Sequence, residues 1–558
     1  MGDPPSPPLI PAPSSSTTTI MASYAAIHTT PSEHHPPPPS RPTSTISRSR
    51  SSKFDRNLAS HGSASWLSSV INLLNTIVGA GVLAMPHAMA NMGITLGVFV
   101  ICWAGLTSGF GLYLQTRCAR YLDRGRSSFF ALSQITYPNA AVVFDAAIAI
   151  KCFGVGVSYL IIIGDLMPGV VKGFVADSGD AAAYLFERRF WVTAFMLVVI
   201  PLSFLRRLDS LKYTSVLALT AIAYLIVLVV YHFAAGDTLA EKGEVNLIKW
   251  QGIIPTLANF PVIVFAYTCH QNMFSILNEI KNPTHVRTTS VIVASIGTAA
   301  SVYVLVAITG YLSYGNNVIG NIVAQYAPSV AATIARLAIV IMVGLSYPLQ
   351  VHPCRASLDA VSRWRPQSSR ASSDRSPNDT SPSRASLLGG NSATNNTTSK
   401  LTPSPSNRPR PDEMSELRFA CLTTLIIILS YLVAMTVSSL DKVLAYVGST
   451  GSTSISFILP GLFYYKISAP DSPHAQRLVK DEDDEVYDSP DGGVVDAGGS
   501  PTEEGGGGLW RRDSWPQRVR GRQWRQALLR KLSLALAGYG VVVMGVCLVV
   551  NTFFIVAH

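Results

Sequence analysis

Residues 69–86 read SVINLLNTIVGAGVLAMP, an apolar segment that is interrupted near its middle. Gly79 and Gly81 weaken a helix at this point, and Pro86 lacks a backbone donor. Residues 259–272 read NFPVIVFAYTCHQN, which again combines a proline with a polar cluster. Non-helical backbone persists at membrane depth only where protein or a water-filled cavity satisfies it. The two segments therefore predict a pair of discontinuous membrane helices.

The composition supports a membrane protein. Of the 558 residues, 48% are hydrophobic and only 14% are charged, whereas soluble domains carry about 25% charged residues. The apolar residues form blocks of about 20, the length that a helix needs to cross a bilayer. The net charge of +10 is spread between these blocks, which argues against nucleic-acid binding. The seven cysteines form no close pairs, so they predict neither a disulfide framework nor a zinc site.

We predict an all-α membrane protein with eleven transmembrane helices. Paired interruptions in corresponding positions of two halves are typical of transporters built from inverted repeats. Spans one to ten then form two five-helix repeats, a 5+5 arrangement, and the eleventh helix is an addition. The predicted spans cover residues 66–90, 94–115, 141–167, 190–205, 213–234, 252–278, 288–313, 330–352, 416–438, 442–465 and 532–556.

Three polar stretches interrupt the spans, at residues 1–65, 355–415 and 467–530. They are rich in Ser, Pro, Gly, Asp or Arg and cannot bury enough apolar surface to offset the entropy of ordering, so we predict disorder. The ten-helix core then covers residues 66–465, apart from the loop 355–415, and the eleventh helix covers 532–556. Placing the N-terminus inside the cell leaves 35 Lys and Arg on the inner side and 6 on the outer side, as the positive-inside rule requires.

The interruptions also predict a binding site for a zwitterion. Free N–H groups at Gly79, Ala80 and Gly81 would bind a carboxylate, and free carbonyls at residues 265–268 would bind an ammonium group. Alternatively, Gly79 and Gly81 form a close helix-packing face, and Tyr159 is a packing residue. The predicted substrate-binding residues are Thr76, Val78, Gly79, Ala80, Gly81, Tyr159, Phe265, Ala266, Tyr267 and Thr268.

Two ionisable residues inside the predicted spans are candidates for ion coupling, because such residues are costly in a membrane. His270 can exchange a proton near neutral pH, or it can be a neutral histidine bonded to free backbone groups. Lys151 is either a coupling residue or part of a structural ion pair. No catalytic motif is present, so we expect neither an enzyme nor a cofactor other than a coupling ion. The expected partners are a small molecule and the lipid bilayer, nucleic acid is not expected, and protein partners are unknown.

Several motifs resemble one family. Residues 75–86, followed by AMANMG at 88–93, are similar to the opening signature of the amino acid/auxin permease family. Residues 151–168 and 274–280 also resemble that family. The similarity is greatest to fungal vacuolar amino acid transporters and to the sodium-coupled neutral amino acid transporters of animals.

The resemblance implies a LeuT-type fold and amino acid transport by alternating access, coupled to protons or sodium. It also implies the vacuolar membrane, with the plasma membrane as the alternative, a cytosolic N-terminus and a luminal C-terminus. In sodium-coupled relatives an Asn of span one and a Ser or Thr of span eight hold the cation; Asn75 and Ser346 match these positions and would bind sodium only if sodium is used. The other possibility is an amino acid sensor that signals through its tail and loops.

The predicted orientation can be tested at three glycosylation acceptors, Asn378, Asn395 and Asn396, which all lie in the loop placed in the cytosol. We expect them to stay unmodified, so that endoglycosidase treatment does not change electrophoretic mobility. An acceptor introduced into the loop at residues 235–252, on the opposite side, should become modified. A mobility change in the unaltered protein would contradict the orientation.

Overall fold

The computed structural model describes residues 62–122, 125, 127–174, 180–205, 211–363, 414–469, 472 and 515–555. Within these residues the regular structure is helical, apart from one parallel β-bridge between Ala64 and Ile280. The tail up to residue 61 and most of the two long loops, including the three acceptor asparagines and the acidic run at 480–485, lie outside the described residues.

Sixteen α-helices are defined in the described part of the chain. In order they are α1 Trp66–Ile77, α2 Met85–Ala90, α3 Ile94–Ala119, α4 Phe129–Thr136, α5 Ala141–Phe174, α6 Arg188–Ser203, α7 Leu211–Ala235, α8 Ile253–Ala266, α9 His270–Glu279, α10 His285–Tyr314, α11 Ile322–Gln325, α12 Val330–Arg363, α13 Glu416–Thr436, α14 Leu440–Val447, α15 Leu459–Ile467 and α16 Trp515–Val549. Two π-helical segments, Gly448–Ser452 and Ser454–Ile458, connect α14 to α15, and a third, Val550–Ile555, follows α16.

Among the described residues, eight helical segments are long and apolar enough to cross a membrane, or nine when α1 and the bent segment after it count as one span. Two predicted spans do not reach this length as single helices. Span four corresponds to α6, which has only 16 residues, and span ten is divided between α14, the π-helical segments and α15. Each of the eleven predicted segments thus contains helix, whereas the count of eleven membrane crossings stays a prediction.

Two boundaries differ from the prediction of disorder. Helix α12 continues to Arg363, and α16 begins at Trp515 instead of residue 532. The extension of α12 has a packing reason, because Arg355 is buried and donates a hydrogen bond of 2.9 Å to Thr423. Its guanidinium also lies 3.9 Å from the centre of the Phe419 ring. Contacts with α13 therefore order residues that look like loop in the sequence.

The first predicted interruption is present between α1 and α2. Helix α1 ends at Ile77, Val78 is extended, and Gly79 has ψ −139°, which takes the chain out of the helix. A short 3₁₀ turn, Ala80–Ala84, follows, and the two halves differ in direction by 47°. The pair of glycines thus coincides with a change of direction at the middle of span one.

The second interruption separates α8 from α9. Helix α8 contains Pro261 and ends at Ala266, whereas α9 begins at His270. Residues 267–269 between them are non-helical and nevertheless buried. Buried peptide groups outside helices need partners, and the N–H groups of Tyr267 and Thr268 donate to the Ile263 and Phe265 carbonyls of α8.

Neighbouring helices hold the two interrupted segments together. Helix α10 packs along α1 and α2, while α8 packs against the 3₁₀ turn and α14. In the described part of the chain, the most extensive helix–helix contact is between α5 and α12. The two interruptions therefore lie in the interior of the helical assembly, surrounded by α3, α10 and the segment from α14 to α15.

Close packing at α3 gives a test of this arrangement. A Cβ atom on Gly111 would lie 2.0 Å from the Ser456 carbonyl oxygen, a backbone atom that cannot move aside. We expect Gly111→Ala to lower the free energy of unfolding by about 1–3 kcal/mol. The measurement is the melting temperature in detergent, followed by size-exclusion chromatography after heating.

Gly109→Ala is the matched control, because its Cβ would meet only the Ile296 side chain, at 3.8 Å. Equal melting temperatures for the two variants would contradict the close approach of α3 to the π-helical segment.

Candidate substrate and ion site

The two interruptions face each other. A Cβ atom on Gly81 would lie 2.6 Å from the Cβ of Ala266 and 2.9 Å from its Cα, so this position requires glycine for close packing. A Cβ atom on Gly79, in contrast, would meet nothing within 4 Å. The sequence predicted either a binding role or a close helix-packing face for this pair of glycines. In the structure Gly81 packs against the second interruption, whereas Gly79 borders open space.

Backbone donors are available at the first interruption. Across the described residues, the N–H groups of Gly79, Ala80 and Gly81 have no backbone or side-chain acceptor, as is usual for the first turn of a helix. The nearest bonded groups are Val78 N–H, which donates to Leu74, and Val82 N–H, which donates to the carbonyl of Gly79. Three adjacent free donors at a helix N-terminus can bind a carboxylate.

The carbonyl acceptors at the second interruption are partly occupied. The Phe265 carbonyl accepts from the Thr268 N–H at 3.0 Å, and the Ala266 carbonyl accepts from the Tyr303 hydroxyl at 2.8 Å. The hydroxyl of Thr268 donates to Val264 in its own helix. Tyr267 is fully buried, and its ring packs edge-on against that of Tyr303 at 5.1 Å. A ligand at this site would therefore compete with bonds that the protein already makes.

The first half of span one, α1, and the second half of span six, α9, are also joined to each other. The Asn272 side chain on α9 donates to the Thr76 hydroxyl on α1 at 3.1 Å, and Thr76 in turn donates to Asn72. Ahead of α1, Ala64 forms two backbone hydrogen bonds of 2.9 Å, with Glu279 and Lys281 at the end of α9. Thr76, which the sequence placed in the substrate site, connects α1 to α9.

His270 lies in a buried polar cluster at the start of α9. Its Nδ1 atom is 3.2 Å from the Ser456 hydroxyl, which lies 3.3 Å from the hydroxyl of Thr268. Gln115 of α3 donates to the backbone carbonyl of His270 at 2.8 Å. The ring occupies the space that Gly111 leaves open. The histidine thus contacts α3 and the π-helical segment, and it shares a hydroxyl partner with the second interruption.

Lys151 lies beside the same cluster. It is buried on α5 and packs against the π-helical segment that precedes Ser456. Gly451 allows close approach at this point, since a Cβ there would lie 2.8 Å from the Lys151 backbone nitrogen. No carboxylate among the described residues pairs with Lys151, so the alternative of a structural ion pair finds no partner there.

Comparison with known proteins decides the family. Residues 62–483 match the family described as "Transmembrane amino acid transporter protein".

The chain belongs to this family.

The resemblance seen in the motifs is thereby confirmed, and relatives extend it. The chain is 41% identical over 422 residues to vacuolar amino acid transporter 5 of Schizosaccharomyces pombe, covering 75% of this chain and 89% of that one. It is 41% identical over 421 residues to vacuolar amino acid transporter 6 of Saccharomyces cerevisiae, covering 75% and 93%. Sodium-coupled neutral amino acid symporter 2 of Danio rerio is 24% identical over 449 residues, covering 75% and 79%.

Solved structures that are similar to this transporter include MhsT in complex with L-phenylalanine, at 12% identity and a TM-score of 0.47, covering 87% of this chain and 99% of that one. The inward-facing conformation of Mhp1 has 8% identity and a TM-score of 0.45, covering 73% and 77%.

The two residues that the family resemblance suggested for sodium differ in their hydrogen bonding in this transporter. The Asn75 side-chain oxygen is buried and has no hydrogen-bond partner in the described structure, so it is free to coordinate a cation. The Ser346 hydroxyl donates to Met342 one turn earlier in α12 at 2.7 Å, and its oxygen can still accept. No hydrogen bond joins the two side chains. Asn75 fits the oxygen chemistry of a sodium ligand, and the joint site stays a prediction.

Tyr159, the predicted substrate-binding residue on span three, is half-buried on α5. It lies about two turns after Lys151 on the same helix. Helix α5 packs most extensively on α12. Substrate contact by Tyr159 also stays a prediction.

Sequence reasoning missed three polar residues that contact the interruptions: Tyr303, Gln115 and Ser456. Ser456 had a visible signal, because residues 448–456 read GSTGSTSIS, an unusually polar stretch for a membrane span. Its hydroxyls at Ser449, Ser452 and Ser456 are fully buried. Tyr303 and Gln115 lie among other polar residues of their helices, such as Ser295 and Thr309 on α10, and nothing in the local sequence distinguishes them from these neighbours.

The buried cluster around His270 yields a prediction. Ser456→Ala removes the hydroxyl that lies between Thr268 and His270 and leaves a buried ring nitrogen without its partner, a loss of about 1–3 kcal/mol. We expect amino acid uptake into proteoliposomes to fall to about a tenth or less.

Ser454→Ala is the control, because its hydroxyl donates to Thr450 in its own helix and to the Met544 sulfur. Equal uptake by the two variants, at equal reconstituted amounts, would show that the cluster does not support transport.

Proposed function

We propose that this chain is a secondary active transporter that carries amino acids across the vacuolar membrane by alternating access. The observation that carries the proposal is the pair of facing interruptions, with free N–H groups at Gly79, Ala80 and Gly81 on one side and carbonyl groups at residues 265–268 on the other. An α-amino acid has a carboxylate and an ammonium group on the same carbon. Donors and acceptors on opposite sides of a short gap match that pattern of charge.

Binding would follow from the polarity of the peptide groups. The N-terminus of the 3₁₀ turn carries partial positive charge and favours the substrate carboxylate, whereas the C-terminal end of α8 carries partial negative charge and favours the ammonium group. The open space beside Gly79 would accommodate part of the substrate. We propose that Val78 and Tyr159 line the remainder of the site.

Alternating access requires the halves of the interrupted helices to move relative to the surrounding helices. The inner halves, α1 and α9, are joined by the Thr76–Asn272 hydrogen bond and by the bridge at Ala64. They would move together. Ten spans would form the 5+5 inverted repeat and α16 the additional helix, with the N-terminus in the cytosol and the C-terminus in the lumen.

The vacuolar membrane is proposed because relatives that share 41% identity over most of their length are named vacuolar amino acid transporters. The plasma membrane is the alternative location. A sensor function would use the same binding site, and it would transmit binding through Ala64, which connects the end of the N-terminal tail to α9.

The coupling ion is proposed to be a proton or sodium. His270 and Lys151 would carry a proton, since both are buried and titratable and lie next to the second interruption. Asn75 and Ser346 would hold sodium through their oxygen atoms, if sodium is used.

One experiment tests both transport and coupling: uptake of labelled amino acids into proteoliposomes, with pH and sodium gradients imposed separately. We expect uptake that one gradient accelerates, and absence of uptake under both would contradict the function. If sodium drives uptake, Asn75→Ala and Ser346→Ala should raise the sodium concentration for half-maximal uptake by about tenfold, as expected when a ligand oxygen is lost.

The control is Asn72→Ala, because Asn72 lies one turn before Asn75 on the exposed side of α1. If protons drive uptake, all three variants should keep the pH dependence of the unaltered protein.

A further inference from the structure

Two carbonyl oxygens converge on one hydroxyl group between the interruptions. The Tyr303 hydroxyl lies 2.7 Å from the carbonyl oxygen of Ile77 and 2.8 Å from that of Ala266. Ile77 is the last residue of α1, and Ala266 is the last residue of α8. Both carbonyls therefore belong to helix ends that have lost their intrahelical partners.

The side chain of Tyr303 is placed rigidly. It is fully buried on α10, and its ring contacts the ring of Tyr267 edge-on. Two turns earlier on the same helix, Ser295 donates to the Val70 carbonyl of α1 at 3.2 Å. Helix α10 thus contacts α1 through Ser295 and again through Tyr303, and the Tyr303 contact also includes α8.

The chemistry of this position is that of a cation site. Carbonyl oxygens at the ends of interrupted helices carry partial negative charge, and in transporters such groups coordinate the coupling cation. Here the phenolic hydroxyl fills the point where the two oxygens meet. Because a hydroxyl has only one proton to donate, the two carbonyls share it, and one of them can accept a further bond from a substrate ammonium group.

We propose that Tyr303 is the positioning residue that holds the two interruptions in register and occupies the place between them that a metal cation would otherwise take. The inference rests on the proposed transport function and deepens it. Tyr303 has a role that neither Asn75 nor Ser346 covers: it supplies a permanent proton donor where the carbonyl oxygens of α1 and α8 would otherwise repel each other. The distance between the interruptions, which Gly81 and Ala266 set by direct contact, is maintained by this bond.

The experiment compares Tyr303→Phe with Tyr311→Phe in proteoliposomes, with labelled amino acid in sodium chloride and in choline chloride. Tyr311 is a matched control: it lies two turns further along α10, it is equally buried, and its hydroxyl also makes two bonds, with Asn246 and Asn316. Those partners lie in connections far along the chain from either interruption. Both variants lose one oxygen atom from a buried tyrosine.

We expect Tyr303→Phe to raise KM by about tenfold, because two carbonyl oxygens lose their donor and the binding-competent arrangement becomes less populated. The ratio of uptake in sodium to uptake in choline should also rise, because the vacated position can then hold a sodium ion. Tyr311→Phe should keep KM within about twofold of the value of the unaltered protein. Its sodium-to-choline uptake ratio should equal that of the unaltered protein.

The proposal is overturned if Tyr303→Phe keeps the KM and the sodium-to-choline ratio of Tyr311→Phe. A raised KM with an unchanged ratio overturns the part that concerns cation exclusion. If neither the unaltered protein nor Tyr311→Phe transports amino acids, the proposed function fails instead, so the two failures are distinguishable.

Should Tyr303→Phe not give a monodisperse protein, Gly81→Ala provides a second route. Its Cβ would press on Ala266 and separate the interruptions without altering Tyr303. We expect a similar rise in KM, and an unchanged KM would overturn the positioning role. Gly97→Ala is the control for that variant, because its Cβ would meet mainly the flexible side chain of Met89.

Discussion

The structure depends on how peptide groups are satisfied where two helices stop inside an apolar assembly. A buried N–H or carbonyl group without a partner costs free energy comparable to a lost hydrogen bond. At the second interruption the protein supplies partners to Phe265 and Ala266, whereas at the first it leaves three N–H groups free. In the proposed site this asymmetry would supply the chemistry, because the free donors would bind an anion and the shared acceptors would be open to competition from a cation.

The need for partners explains the position of the surrounding polar residues. Gln115 donates to the His270 carbonyl, Ser456 contacts the histidine ring, and Tyr303 reaches the carbonyls of both interruptions. These residues come from three different helices that converge on residues 266–270. Three glycines nearby, Gly81, Gly111 and Gly451, have a complementary role. Each lacks a side chain at a point where two backbones come close together. Polar partners and small residues together allow irregular backbone to be buried.

Both interruptions could be predicted from local sequence signals: glycines lie at the first break, and a polar cluster lies at the second, although α8 continues past Pro261 to Ala266. The partners could not, because they depend on which residues of distant helices meet. Tyr303 is a tyrosine in an apolar segment, and only the path of α10 across both interruptions gives it a function. The start of α16 at Trp515 and the extension of α12 through Arg355 were misjudged for a related reason, since polar composition indicates solvent exposure but does not exclude helix.

The charged and polar groups around the site limit where a coupling ion could bind. Lys151 and His270 are both buried, and no carboxylate in the described structure forms an ion pair with Lys151, so two positive charges in this region would be costly. Asn75, by contrast, has a free buried oxygen on the α1 side of the interruptions. Sodium at Asn75 and a proton at His270 are therefore alternatives that would act on different interruptions. Coupling would then arise because the bound ion changes the balance of donors and acceptors at one interruption, and Tyr303, which bonds to both, would transmit that change to the other.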